Sequence, residues 1–146
     1  ELTASPTKTP WALLTKSLSS VVKDEVFKIM EYVGLAPYAK LQAGSLSHGQ
    51  KQWLEIGMLL SANPRLLLVD EPAAGMTRDE AERTAELLTN LAGDRTIIVI
   101  EHDMEFIRSI ASRVTVMHQG QMLAEGSMTE IKKNPSVLEV YLGEEY

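Results

Sequence analysis

Two adjacent carboxylates, Asp70 and Glu71, follow directly on the apolar run Leu66-Leu67-Leu68-Val69. Such a run predicts a strand buried on both faces of a parallel sheet. Open α/β sheets bind ligands at the carboxyl ends of their strands. There Asp70 is suited to hold Mg²⁺, largely through its water shell, and Glu71 to orient and deprotonate an attacking water. The alternative is a pair of solvated acids at a strand end.

A histidine occupies the same kind of position after a second apolar run. Residues 96–100 predict another buried strand, and Glu101 and His102 follow it. A histidine there could contact a γ-phosphate or orient the water held by Glu71. A lone histidine is more often a bystander, so the position at the end of a neighbouring strand is what favours a functional role.

The third candidate is the start of a helix at Ser47. Ser47 and Gln50 fit the capping box S-x-x-Q, and Gly49 lies between them. A helix N-terminus presents free backbone N–H groups and the positive end of the helix dipole, which suits a phosphate. An ordinary helix start would carry the same residues.

The stretch from Gly44 to Lys51 superficially matches the phosphate-binding loop G-x-x-x-x-G-K-[ST]. Gln50 occupies the lysine position, Gln52 follows Lys51 where a Ser or Thr would stand, and no strand precedes Gly44. The context that the motif requires is missing. The sequence therefore contains no phosphate-binding loop of this kind.

The elements around these residues predict an α/β fold. A polar linker (1–10) and two helical stripes come first; the stripes, which we expect in the core, contain the residues Trp11, Leu14, Leu18, Val22, Val26, Ile29, Met30 and Val33. A helix from Ser47 to about Ala62, a strand, a helix capped by Thr77, a second strand and a further helix follow. The end of the chain predicts a β-hairpin turning at 118–120 and two short helices.

Composition narrows the function classes. The 146 residues include 20 acidic and 14 basic ones, for a net charge of −6, and no basic cluster. Nucleic-acid binding requires a basic face, so that partner is disfavoured. Cysteine is absent, which excludes disulfides and thiolate metal sites. The apolar runs are far shorter than a membrane span, and the start carries no signal-peptide pattern.

Together the motifs resemble the ATP-binding-cassette (ABC) ATPases. LSHGQ at 46–50 is similar to the family signature, LLLVDE at 66–71 to its Walker B strand, and His102 to its switch histidine. The stretches at 47–60, 70–80 and 99–106 resemble the ATP-binding subunits of branched-chain amino acid and urea importers. The first of these and the ending at 125–143 favour the urea type.

The resemblance implies a partial P-loop NTPase fold, with a helical signature subdomain and linker at 1–62 and the C-terminal part of a RecA-like core at 63–146. It implies ATP and Mg²⁺ as cofactors. Asp70 would coordinate the metal, Glu71 would be the general base and His102 would contact the γ-phosphate. Ser47, Gly49 and Gln50 would bind ATP held by a second subunit. The segment 73–77 would be the D-loop, although Thr77 stands where many relatives have Asp, and His48 replaces the commoner glycine.

The implied partners are a second ATPase subunit and membrane permease subunits, on the cytoplasmic face of the cell membrane. In the family the phosphate-binding loop precedes the helical subdomain, so this chain is expected to be a C-terminal portion. Alone it should bind ATP poorly and hydrolyse it negligibly. The absent strand should leave a gap between the 96–100 and 113–117 strands, or allow pairing there with another chain.

Two other classes of function remain open at this stage. The chain could be a non-catalytic interaction module that docks on a permease or a partner subunit. A DNA-repair or chromosome-organising ABC ATPase is disfavoured, because those relatives need long coiled coils and often basic surfaces, and the sequence has neither. The presence or absence of a phosphate-binding loop upstream of Glu1 would separate an enzyme from a module.

Overall fold

The computed structural model describes residues 20–143, with side chains from 23 to 140. In chain order it contains helix α1 (Ser20–Tyr32), helix α2 (His48–Leu60), strand β1 (Leu66–Asp70), helix α3 (Arg78–Leu91), strand β2 (Thr96–Ile100), helix α4 (Met104–Ile110), strands β3 (Val114–His118) and β4 (Gln121–Gly126), and helices α5 (Met128–Ile131) and α6 (Pro135–Gly143). The predicted order of elements is confirmed. The linker and the stripe at Trp11, Leu14 and Leu18 lie outside the described residues. None of the described helices is long and apolar enough to cross a membrane.

Capping boxes begin three of the helices, as the sequence predicts for the first two. Ser47 caps α2, Thr77 caps α3 and Ser127 caps α5, and in each case the side chain of the third helical residue accepts a hydrogen bond from the backbone N–H of the capping residue. Each box satisfies two of the backbone donors that a helix start leaves unpaired. The starts of α2 and α3 are therefore fixed by local chemistry.

The strands form two separate two-stranded sheets. β1 and β2 are parallel, with Asp70 opposite Ile100. β3 and β4 form an antiparallel hairpin whose turn residues Gln119 and Gly120 both have positive φ, as a tight hairpin turn requires. Within the described part of the chain β2 is not hydrogen-bonded to β3. The predicted gap in the sheet is confirmed.

The prediction that β1 is buried on both faces is wrong for the chain as described. Leu67 and Val69 are buried, whereas Leu66 and Leu68 on the opposite face are 49% and 66% exposed. In β2, Ile98 and Ile100 are likewise exposed on one face. The apolar run has the composition of a two-sided strand, but the described residues cover only one side of the sheet.

One hydrophobic core lies beneath the covered face of the β1–β2 sheet. It joins the α1–α2 region, through Val33, Trp53 and Ile56, to β1 and α3, through Leu67 and Leu88. Val26, which the helical pattern of apolar residues predicted to lie in the core, is 43% exposed. The core thus contains residues from both sides of the boundary at 62/63, and the division into subdomains stays a prediction.

A smaller cluster packs around the hairpin, with Val114, Ile131 and Val137 at its centre. Helix α4 contacts both clusters, because Phe106 belongs to the main core and Ile107 packs on the smaller one. This helix follows directly on His102, so its packing on both sides fixes the end of β2.

Candidate functional site

The carboxyl ends of β1 and β2 bring Glu71 and His102 together. His102 Nδ1 lies 3.4 Å from Glu71 Oε1, and both side chains are more than half exposed, at 78% and 54%. The parallel register places Asp70 opposite Ile100, so the residues that follow each strand meet at one edge. The pair of candidate catalytic residues predicted from separate strands is therefore close in space and open to solvent.

The backbone at Glu71 has an unusual conformation. Its φ is +46°, in the left-handed region that residues other than glycine seldom adopt. Two hydrogen bonds hold it there: Glu71 N–H donates to the Ile100 carbonyl at 2.8 Å, and Ala74 N–H donates to the Glu71 carbonyl at 3.1 Å. Strain of this kind persists where the surroundings over-determine it, and it occurs often at functional sites.

The Asp70 side chain is exposed at the same edge of the sheet. The described residues contain no cluster of three or more potential metal ligands. Mg²⁺ usually binds through one or two carboxylates together with waters and substrate phosphates, so a single exposed Asp fits that ion and would not suit a metal that needs an all-protein cage. The donor set at this edge is compatible with Asp70 as a Mg²⁺ ligand in a nucleotide complex.

Glu101 is a site residue to which the sequence analysis assigned no role. Its side chain is only 2% exposed, and its carboxylate accepts three backbone hydrogen bonds, from Ala73 at 3.0 Å, from His102 at 3.0 Å and from Asp103 at 3.3 Å. It thereby ties the chain after β1 to the chain after β2. The available signal was its position at the strand end beside His102.

The other predicted residues form the signature-like loop, residues 46–50, at the start of α2. Ser47 Oγ accepts from Gln50 N–H at 3.2 Å, and Ser47 N–H donates to Gln50 Oε1 at 3.0 Å. Gly49 is buried, and a Cβ at that position would lie 2.7 Å from Glu80 Oε1. Gln50 thus acts in the capping box, and Gly49 leaves room for the Glu80 side chain of α3.

Glu80 and His48, which the sequence analysis did not place in the site, connect this loop to the segment 73–77. Ser47 Oγ–H donates to Glu80 Oε1 at 3.3 Å. His48 Nε2 donates to the Ala74 carbonyl at 3.0 Å, and a Cβ at Gly75, whose φ is +67°, would be in ordinary van der Waals contact with the His48 ring. Contacts between residues 26 and 33 positions apart could not be read from local spacing.

The Glu80 carboxylate accepts three hydrogen bonds, one of them from Ser47. Its Oε2 accepts from both Thr77 N–H and Thr77 Oγ1–H at 3.0 Å. These bonds, first the one from the Thr77 backbone, hold the pKa of Glu80 below its ordinary value, and Ser47 and the nearby His48 act in the same direction. Glu80 is therefore present as a carboxylate that both helix starts share.

Comparison with known proteins concerns the family and the fold. The family description "ABC transporter" matches residues 3–74, and "Branched-chain amino acid ATP-binding cassette transporter" matches residues 121–146. A solved ATP-binding cassette of an ABC transporter, MJ1267 in its ADP conformation, superposes with a TM-score of 0.78 at 30% identity, over 94% of this chain and 58% of that one. The fold is that of the ABC ATPase cassettes, a P-loop NTPase fold present here in part.

The sequence relatives refine the class. The chain is 39% identical over 117 residues to the high-affinity branched-chain amino acid transport ATP-binding proteins BraF of Pseudomonas aeruginosa and LivG of Escherichia coli K12, covering 79% of this chain and 46% of each relative. The chain is similar to the ATP-binding domains of ABC transporters, and its relatives include the ATP-binding proteins of branched-chain amino acid transport. It spans about half the length of these curated relatives.

Proposed function

We propose that this chain supplies the hydrolytic carboxylate and the switch histidine of an ATPase subunit that energises an ABC importer. The observation that carries the proposal is the 3.4 Å approach of His102 Nδ1 to Glu71 Oε1 at the ends of two parallel strands. A carboxylate next to an imidazole, both open to solvent, is suited to orient a water molecule and accept its proton. Positioning and charge stabilisation account for most phosphoryl-transfer catalysis.

The proposal assigns roles to the remaining candidates. Asp70 would hold Mg²⁺, which when bound neutralises charge on the phosphates. Ser47 and Gly49, with Gln50 closing the cap behind them, would contact the γ-phosphate of ATP held by a second subunit. The helical part within residues 1–62 would belong to the signature subdomain, and 63–146 to the ATPase core. The permease partner and the position on the cytoplasmic face of the membrane belong to the same proposal.

Two experiments test the catalytic part. The 146-residue chain alone should show negligible ATP hydrolysis, because its sequence contains no phosphate-binding loop, and calorimetric titration with Mg-ATP should give no micromolar binding. A completed cassette, in which the amino-terminal part of BraF that precedes the similarity is fused ahead of this chain, should hydrolyse ATP. In it Glu71→Gln should lower kcat by about 10²–10⁴-fold and retain ATP binding.

A matched control is Glu55→Gln, an exposed carboxylate on α2 that leaves the proposed site untouched. Full activity of Glu71→Gln, or equal losses in the two variants, would contradict the proposed role of Glu71. Micromolar ATP binding by the chain alone would contradict the prediction of inactivity.

The transported substrate is proposed to be a branched-chain amino acid or urea. Similarity to BraF and LivG supports the first, and the resemblance of the stretches at 47–60 and 125–143 to urea transporter subunits favours the second. Uptake of labelled leucine and of labelled urea, measured in cells that express the complete transporter, separates the two. The non-catalytic module is the alternative if the completed cassette binds permease subunits but does not hydrolyse ATP.

A further inference from the structure

We infer that Glu80 is a positioning residue for Ser47, and that Glu80 and His48 together fix the signature-like loop to the segment 73–77 of the same chain. The inference rests on the proposed function for its catalytic consequence and on the hydrogen-bond geometry for its structural content. Neither residue is adjacent in sequence to Glu71 or His102, and neither is proposed to touch ATP.

The first contact is the bond between Ser47 and Glu80. Ser47 Oγ already accepts from Gln50 N–H, so its own proton decides where the hydroxyl points. That proton is donated to Glu80 Oε1 at 3.3 Å. A hydroxyl with both a fixed donor and a fixed acceptor has a defined orientation, whereas an exposed serine cap without the second partner can rotate. Glu80 thus places the Ser47 side chain at the start of α2, and contact with a phosphate requires the Ser47 proton to turn from Glu80 to a phosphate oxygen.

The second contact is steric. Glu80 Oε1 would lie 2.7 Å from a Cβ at Gly49, closer than real Cβ atoms approach other atoms. A residue larger than glycine at this position would displace the Glu80 carboxylate from the start of α2. The same carboxylate group is anchored at its other oxygen by two bonds from Thr77. Thr77 is the last residue of the segment 73–77, so displacement of that segment is transmitted to Glu80 and then to Ser47.

The third contact is the hydrogen bond between His48 and the segment 73–77. His48 Nε2 donates to the Ala74 carbonyl at 3.0 Å, while Ala73 N–H donates to the buried Glu101 carboxylate at 3.0 Å. The segment is therefore bonded to the signature-like loop through His48 and to the end of β2, beside His102, through Glu101. This chain of contacts links the two groups of candidate site residues within one subunit.

The structural arm of the test uses amide hydrogen exchange on the 146-residue chain. Glu80→Ala should speed exchange at Gln50 N–H by about fivefold, the effect of losing one hydrogen bond of ordinary net strength, although the two residues are 30 positions apart. Glu130→Ala is the matched control, because Glu130 forms the same capping box with Ser127 at the start of α5. That variant should leave the Gln50 exchange rate within twofold of wild type.

A second substitution tests the other contact. His48→Phe keeps a ring of similar size but removes the donor to Ala74, so exchange at Met76 N–H, which is bonded to the Ala73 carbonyl, should accelerate. Unchanged exchange at Gln50 in Glu80→Ala, or at Met76 in His48→Phe, would overturn the corresponding contact. This arm requires no nucleotide, so it decides the geometry even if the proposed function fails.

The catalytic arm uses the completed cassette. Glu80→Ala should lower kcat about tenfold and leave KM for ATP within twofold, since Glu80 acts on the placement of the loop that makes a transition-state contact rather than on ground-state binding. Glu80→Gln keeps one acceptor oxygen and should recover most of the activity. In a Ser47→Ala background, Glu80→Ala should have no further effect on kcat. A full additional loss in that background would show that Glu80 does not act through Ser47.

Discussion

Thr84→Val should destabilise the chain more than its small change in shape suggests. Thr84 is fully buried, and its Oγ1 accepts from Trp53 Nε1–H at 2.9 Å while donating to the Glu80 carbonyl at 2.8 Å. The bond joins α2 to α3, the two helices that begin at the signature-like loop and after the segment 73–77. Valine has the same shape as threonine but cannot accept the indole proton.

The expected cost follows from the unpaired donor. A buried N–H without a partner costs about 1–3 kcal/mol, and the threonine hydroxyl's bond to Glu80 is lost as well. With a urea m-value of about 1–3 kcal/mol/M for a domain of this size, the unfolding midpoint should fall by about 1 M. Circular dichroism at 222 nm measures it directly.

The control is the same substitution in a Trp53→Phe background. Phenylalanine has no N–H, so replacing both partners by apolar groups should make Thr84→Val nearly neutral. The interaction between the two substitutions should be at least about 1 kcal/mol. If Thr84→Val matched wild type within about 0.5 kcal/mol, or cost the same in both backgrounds, the hydrogen bond would not hold α2 to α3 as described.

Three further predictions concern other parts of the fold. Gly34→Ala should lower the urea midpoint sharply, because Gly34 has φ +76° and a Cβ there would collide with the Arg83 guanidinium; the left-handed backbone alone costs about 1–2 kcal/mol. Hydrogen bonds lower the pKa of Glu80 and Glu130 in the folded chain. The free energy of unfolding should therefore be retained above their ordinary pKa of 4.5 and fall below it. Glu80→Gln should flatten this dependence on pH in urea titrations from about pH 6 to 3. Leu68→Thr, at a side chain 66% exposed, should reduce aggregation in light scattering at equal stability, since it interrupts the uncovered apolar face.

These tests separate the two kinds of contact that the structure contains. Loss of Thr84 or Gly34 acts on packing and should change unfolding without selectivity for the site. Loss of Glu80 acts on the site through Ser47 and should change kcat more than stability. If Thr84→Val and Glu80→Ala gave the same ratio of kcat loss to stability loss, the two helices would move as a single unit.

Local chemistry determined most of the elements. The capping boxes at Ser47 and Thr77 and the turn at 118–120 predicted where helices and strands begin and end, because each acts through groups within four residues. The candidate residues Asp70, Glu71 and His102 were also evident, since parallel strands bring their carboxyl ends to one edge of a sheet.

Only the tertiary structure decided how these residues are held. The bonds from Ser47 to Glu80, from His48 to Ala74 and from Ala73 to Glu101 join residues 26 to 33 positions apart, and neither propensity nor spacing specifies such contacts. The exposure of Leu66 and Leu68 could likewise not be predicted from the sequence, because an apolar run does not indicate which face of the strand is covered. The sequence by itself determined which groups stand at the strand ends and helix starts, whereas packing of α2 against α3 determined which of those groups touch.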